Sequence, residues 1–146
     1  LAACWAVGSN HSSSSTELLR GITHHHVRQL AHPADNICAA LLLATVLLQD
    51  LPQVLQDKYG GFLSPQIQAD FLYYADMLFR HLGDIVDQWM TFNEVISICE
   101  LGYQVDVFAP QANKGLGAKY TCGHNVLLAH AKTMQLYRWD DDITCK

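Results

Sequence analysis

Ile67, Phe71, Tyr74, Ala75, Leu78 and Leu82 recur at spacings of three and four, which lays a single apolar stripe along a helix. A helix of that kind has to be buried on one side. Ser64-Pro65 stands ahead of it as an N-cap with proline in the first turn, and Gly83 is placed to close it in a left-handed cap. On its amino side lies Ala39 to Leu48, a short Leu- and Val-containing run bounded by polar residues, which reads as a strand buried on both faces and ended by Gln49-Asp50-Leu51-Pro52. On its carboxyl side lies Val86 to Phe92, with Trp89, Thr91 and Phe92 as strand formers. Strand, helix and strand in this order predict two neighbouring parallel strands joined by a right-handed crossover. In such folds the loops after the strands carry the chemistry.

A second helix is predicted from Thr121, as N-cap, to about Trp139, with Leu127, Leu128, Ala131, Met134 and Tyr137 as its buried stripe. The stretch between Phe92 and Thr121 reads as a long loop, and Tyr59-Gly60-Gly61-Phe62 as a short one. Residues 1–38 differ in character. A serine run at Ser12 to Ser15 marks a partly disordered end, followed by a possible helix from Thr16 to about Leu30. The organisation expected is therefore a divergent segment over 1–38 and a βαβα unit over 39–146.

Composition narrows the function. With 146 residues, 50% hydrophobic and 16% charged, the chain has material for one folded domain. Lys+Arg 9 against Asp+Glu 14 leaves no cation excess for nucleic acid. The apolar run Ile37 to Leu48 falls short of the roughly 20 residues of a membrane span. Leu1 to Val7 has no basic segment ahead of it, so no complete secretory signal is expected.

The 5 cysteines (Cys4, Cys38, Cys99, Cys122 and Cys145) contain no CxxC pair. Neither a disulfide framework nor a zinc site is expected, Cys99 and Cys122 read as inert thiols, and a reducing, cytoplasmic setting is preferred. His24, His25 and His26 diverge by about 100° each on a helix and make a poor metal site, so no metal or cofactor is expected. His124 and His130 read as packing or capping groups. Asp140, Asp141 and Asp142 read as a solvated run, and Tyr59, Tyr73, Tyr74 and Tyr103 mostly as core aromatics with a hydroxyl to satisfy.

The specific chemistry lies in Trp89-Met90-Thr91-Phe92-Asn93-Glu94. An amide and a carboxylate side by side at the carboxyl end of a buried strand occupy the place where an α/β barrel sets its reacting groups. Partial desolvation there favours the protonated carboxyl, which suits Glu94 to a general acid. Asn93, both donor and acceptor, suits a sugar hydroxyl.

The stretch DLPQVLQDKYGGFLSPQIQADFLYYADMLFRHLGDIVDQWMTFNE from Asp50 to Glu94, with LGYQVDVFAP and HNVLLAHA after it, resembles the retaining β-glucosidases of glycoside hydrolase family 1. The resemblance covers roughly Asp50 to Tyr137. It implies a partial (β/α)8 TIM barrel of about two to three βα units, with Ala39 to Leu48 as the third strand and Val86 to Phe92 as the fourth. It also implies that Glu94 is the catalytic acid/base, that Asn93 binds the sugar 2-hydroxyl, and that the partner is a β-glycoside or small sugar.

Several positions depart from the family pattern. Its His-Trp-Asp appears as Leu48-Gln49-Asp50, its proline after the glutamate as Val95, and its glycines either side of Ala109-Pro110 as Asp106 and Gln111. The family's Gly-Asp-Arg-Val is Gly83-Asp84-Ile85-Val86, and its nucleophile word Glu-Asn-Gly does not occur in the sequence. A retaining glycosidase needs two carboxyl groups about 5 Å apart, and Glu94 supplies only one. The expectation is a truncated, inactive piece of an O-glycosidase. The alternatives are a non-catalytic carbohydrate-binding or interaction remnant and a sulfur-glycoside hydrolase. Against the latter stands Glu94 itself, because a thiolate leaving group needs no proton.

Overall fold

The computed structural model describes residues 43–47 as backbone, and 51–84, 86, 88–140 and 143 in full. The order is β1 (Leu43–Leu47), α1 (Gln53–Tyr59), a 3-10 turn (Gly61–Leu63), α2 (Ile67–Leu82), β2 (Gln88–Phe92), a π-helical segment (Ser97–Gln104) and α3 (Leu116–Trp139). The strands pair in parallel, with Leu43 opposite Gln88 and Leu47 opposite Phe92, as the strand–helix–strand order predicts. Both lie inside the runs that predict them. The helix expected over 16–30, the boundary at 38 and 39, the three adjacent histidines, Cys4, Cys38 and Cys145 all fall outside the described residues.

Helix α2 is the centre of the packing. Ile67, Phe71, Tyr74, Ala75, Leu78 and Leu82 are all buried, together with Phe79. This one helix face gathers β2 and α3. Phe71 stacks on Phe92, while Phe79 meets Trp89 and Tyr137 edge-on at 5.0 and 5.1 Å. Gly83 does not close α2 as expected; it stays right-handed at φ -64, and the chain runs on so that Val86 N–H donates to the Leu82 carbonyl at 3.0 Å.

The turn after α1 needs its glycines. Gly60 adopts φ 83 and donates its N–H to the Gln56 carbonyl, closing α1. Gly61, at φ 59, is hemmed in: a Cβ there would collide with Gln56 Oε1 and lie 2.5 Å from the Tyr103 hydroxyl. Tyr103, 41 residues after Phe62 in sequence, is fully buried, accepts the Phe62 N–H at 3.1 Å and donates to Gln56 Oε1 at 2.9 Å. Tyr59 donates to Asp70 at 2.7 Å. Tyr74 is also buried, but Tyr73 is 48% exposed and is no core residue.

Two expectations about the carboxyl half are corrected. The loop after Phe92 contains the π-helical segment, which buries Ile98, Cys99, Gly102 and Tyr103. Helix α3 begins at Leu116, ahead of Thr121, whose hydroxyl donates to the Gly117 carbonyl within the helix at 3.3 Å. Its buried face is Ala118, Cys122, Asn125, Val126, Ala129 and Thr133, whereas Leu127 is 64% exposed and Leu128 38%.

The reason lies in a polar clasp. Asn125 Nδ2 donates to the Phe62 carbonyl at 2.9 Å, Gln68 Nε2 donates to Asn125 Oδ1 at 3.0 Å, and Lys132 Nζ donates to Gln68 Oε1 at 2.9 Å. With Asn125 turned inward and satisfied, the neighbouring leucines turn outward. Asp140 is likewise not a free solvated charge: Arg80 bonds it at 2.7 Å and Asp76 at 2.8 Å, joining the ends of α2 and α3. These two carboxylates hold the Arg80 guanidinium firmly protonated, Asp76 contributing most. Asp141 and Asp142 are outside the described residues.

Candidate active site

The parallel register brings the carboxyl ends of β1 and β2 to one edge, because Leu47 lies opposite Phe92. Asn93 and Glu94 follow Phe92 directly at that edge. Asn93 is half-buried and Glu94 exposed. At Glu94 the backbone enters the left-handed region, φ 45, so the chain leaves the strand sharply and winds at once into a helical turn. Ile98 N–H donates to the Glu94 carbonyl at 3.1 Å. That turn also swings Ser97 back onto the carboxylate, and its Oγ donates to Glu94 Oε2 at 3.1 Å.

The desolvation expected around Glu94 is not supplied by the described residues. Its side chain reaches solvent, as do Gln88 and Met90 on β2. Asp106, the other acid in the segment after β2, is also exposed, and Asp50 lies outside the described residues. No three His, Cys, Asp or Glu side chains among the described residues stand together as metal ligands. Nor is any described helix long and apolar enough to cross a membrane.

Three further contacts involve β2, the turn after Glu94 and α3. Ser97 is the first; its position three residues after Glu94 is a legible signal once a helical turn is known to start there. The second ties β2 to α3: Thr91 Oγ1 and His130 Nδ1 are 2.8 Å apart, which gives His130 a structural bond, while His124 is exposed. The third corrects the reading of the cysteines as inert thiols. Cys99 and Cys122 are joined in a disulfide across 23 residues of sequence, with Cα atoms 5.4 Å apart. Packing of the π-helical segment on α3 brings them together, and their spacing alone holds no sign of it.

Segment 105–115 is closed by backbone bonds, with Ala112 and Lys114 N–H groups donating to the Gly102 and Tyr103 carbonyls. A Cβ on Gly102 would lie 2.6 Å from the Ala109 carbonyl oxygen, so this approach needs glycine. Asp106 and Gln111 stand at φ 62 and 55.

The parallel strand–helix–strand order, with Asn93 and Glu94 directly after β2, has counterparts among known proteins. The model of glycosyl hydrolase family 1 matches residues 34–143, reaching further upstream than Asp50. Beta-glucosidase 12 of Arabidopsis thaliana is 41% identical over 106 residues, 65% of this chain and 21% of its own length. Beta-glucosidase 12 of Oryza sativa subsp. indica is 44% identical over 105 residues, 64% of this chain and 21% of its own. Among solved structures, the β-glucosidase of the fungus Humicola insolens in complex with glucose aligns over 92% of this chain and 28% of its own, at a TM-score of 0.72 and 27% identity. The β-glucosidase of Thermotoga maritima in complex with glucoimidazole aligns over 81% and 25%, at a TM-score of 0.72 and 28% identity.

The chain belongs to glycosyl hydrolase family 1. It spans about a fifth of the length of the curated β-glucosidases it matches, and so corresponds to one part of their barrel.

Proposed function

We propose that this chain carries the acid/base half of a retaining β-glucosidase-like O-glycosidase site, and that the 146 residues alone do not turn over substrate. Glu94 protonates the leaving oxygen of a β-glycoside and Asn93 binds a sugar hydroxyl beside the scissile bond. The observation that supports this reading is the position of Asn93 and Glu94 immediately after β2, at the edge where both strands end. Ser97 keeps one carboxyl oxygen engaged. A covalent glycosyl intermediate needs a second carboxylate opposite the first, and the sequence has no Glu-Asn-Gly word to provide it.

The test compares the purified chain with a full-length barrel. The chain by itself is expected to leave an aryl β-glucoside intact. Residues 34–143 exchanged into the matching part of a full-length β-glucosidase should support turnover. In that barrel Glu94→Gln should cost far more on glucosides with poor leaving groups than on activated ones, since only the former need the proton. Equal losses on both would remove Glu94 from the acid role. Shifts of Asn93 resonances on adding glucose, with an inactive exchanged barrel, would favour a sugar-binding remnant.

A further inference from the structure

Glu94 begins a turn whose far side is fastened covalently. Its carboxylate accepts Ser97 Oγ, its carbonyl accepts Ile98 N–H, and Cys99, the residue after Ile98, is bonded to Cys122 on α3. Both cysteines are buried, at 3% and 0% exposure. Ser97 and Cys99 belong to the π-helical segment, a form that is rare beyond a single turn, so its tertiary anchors help to fix its position. Those anchors are unevenly spread. The distal end is held by Tyr103, through Phe62 and Gln56, and by the backbone bonds from Ala112 and Lys114. On the Glu94 side the anchors to the core are the half-buried Val95, the buried Ile98 and the Cys99 sulfur. Between them, Glu100 makes only a 3.5 Å surface pair with Lys119.

We propose that the Cys99–Cys122 disulfide is a positioning device for Glu94: oxidised, it fixes the turn 94–99 against α3, and reduction releases that turn and its carboxylate. The functional meaning rests on Glu94 being the acid/base, but the structural claim does not. Release requires a reductant of the dithiol class. One of its thiolates attacks a buried sulfur, the S–S bond breaks to a mixed disulfide, and its second thiol displaces the other cysteine. Two electrons and two protons pass to Cys99 and Cys122, and the reductant leaves as a cyclic disulfide. Because both sulfurs are buried, attack waits for the π-helical segment to lift from α3, so the device answers to local opening as well as to reductant.

The experiment uses the whole chain, oxidised, reduced with dithiothreitol, and as the Cys99→Ala/Cys122→Ala double variant. Amide exchange is read by mass spectrometry, and the Glu94 carboxyl carbon by NMR, assigned through its loss in Glu94→Gln. Reduction should speed exchange over 94–99 at least tenfold, leave 102–104 and α2 unchanged, and shift the Glu94 carboxyl signal as the Ser97 bond is lost. The double variant should match the reduced chain. Any of four results overturns the proposal: free thiols at Cys99 and Cys122 in the oxidised chain, unchanged exchange at 94–99, faster exchange spread evenly through α2, or loosened amides with an unmoved Glu94 signal. Whether Glu94 donates a proton is read separately in the exchanged barrel, so failure there leaves this result standing.

Discussion

The rings of Phe71 and Phe92 stack with centroids 4.2 Å apart and planes 21° from parallel, so α2 directly supports the residue that precedes Asn93. Phe71 is fully buried. Phe71→Ala should cost about 3–5 kcal/mol, lost ring area plus the cavity left under β2. That is a large part of the stability of any domain of this size. Urea denaturation checks it, with Phe71→Leu expected to lose less than half as much; a cost under about 1 kcal/mol for the alanine variant would contradict this account of the packing.

Asn125 holds α3, α2 and the 3-10 turn together through its two amide atoms. Asn125→Ala would strand the Gln68 amide and the Phe62 carbonyl in the interior, at about 1–3 kcal/mol for each group left unpaired. Lys132→Met, which removes only the outer member of the chain, should cost about 1 kcal/mol or less. Thermal unfolding of the two variants gives the order directly, and a reversed order would show that the clasp is not held from inside.

Gln111 pays for a left-handed backbone that glycine would adopt freely. Gln111→Gly should therefore stabilise the chain by about 0.5–1 kcal/mol, the relief of a left-handed L residue less the extra unfolded-state entropy of glycine. Asp106→Gly should do less, because aspartate tolerates this conformation better. Denaturation midpoints of the single variants test both.

Burial pushes the Tyr103 hydroxyl up to about 12, with the Phe62 N–H opposing the shift. In the unfolded chain it titrates near 10. Its contribution to stability is therefore fully present below about pH 10 and is lost as pH rises through about 12, a decline worth roughly 2–3 kcal/mol. Tyr59 is raised too, by its own burial and by Asp70 beside it, and acts in the same direction. Chemical denaturation from pH 8 to 11 should show about the first half of this fall, flattened in Tyr103→Phe, which is less stable at neutral pH because the Phe62 N–H loses its acceptor.

What could be read from the sequence was whatever rested on local pattern. The α2 stripe is periodic because one face meets a continuous core, and each of its predicted positions is buried. The parallel pairing of β1 and β2 followed from the same order of elements. Asn93 and Glu94 were placed at the strand end because they directly follow a strand-forming run. Helix α3 defeated the same reasoning because apolar residues surround it. Its orientation is chosen by Asn125 finding Gln68 and Phe62, 57 and 63 residues away. The π-helical segment and the Cys99–Cys122 bond depend on α3 being in place, so neither leaves a mark in a local window.

The disulfide closes a covalent ring, and Lys114 and Lys119 lie within it. Lys114 is exposed. A single tryptic cut there leaves one molecule, seen intact on a non-reducing gel, that parts into 1–114 and 115–146 only when thiol is added. The loop beyond Glu94 can thus be nicked while its two ends stay tethered, so cleavage of this chain and loss of its pieces become separate events.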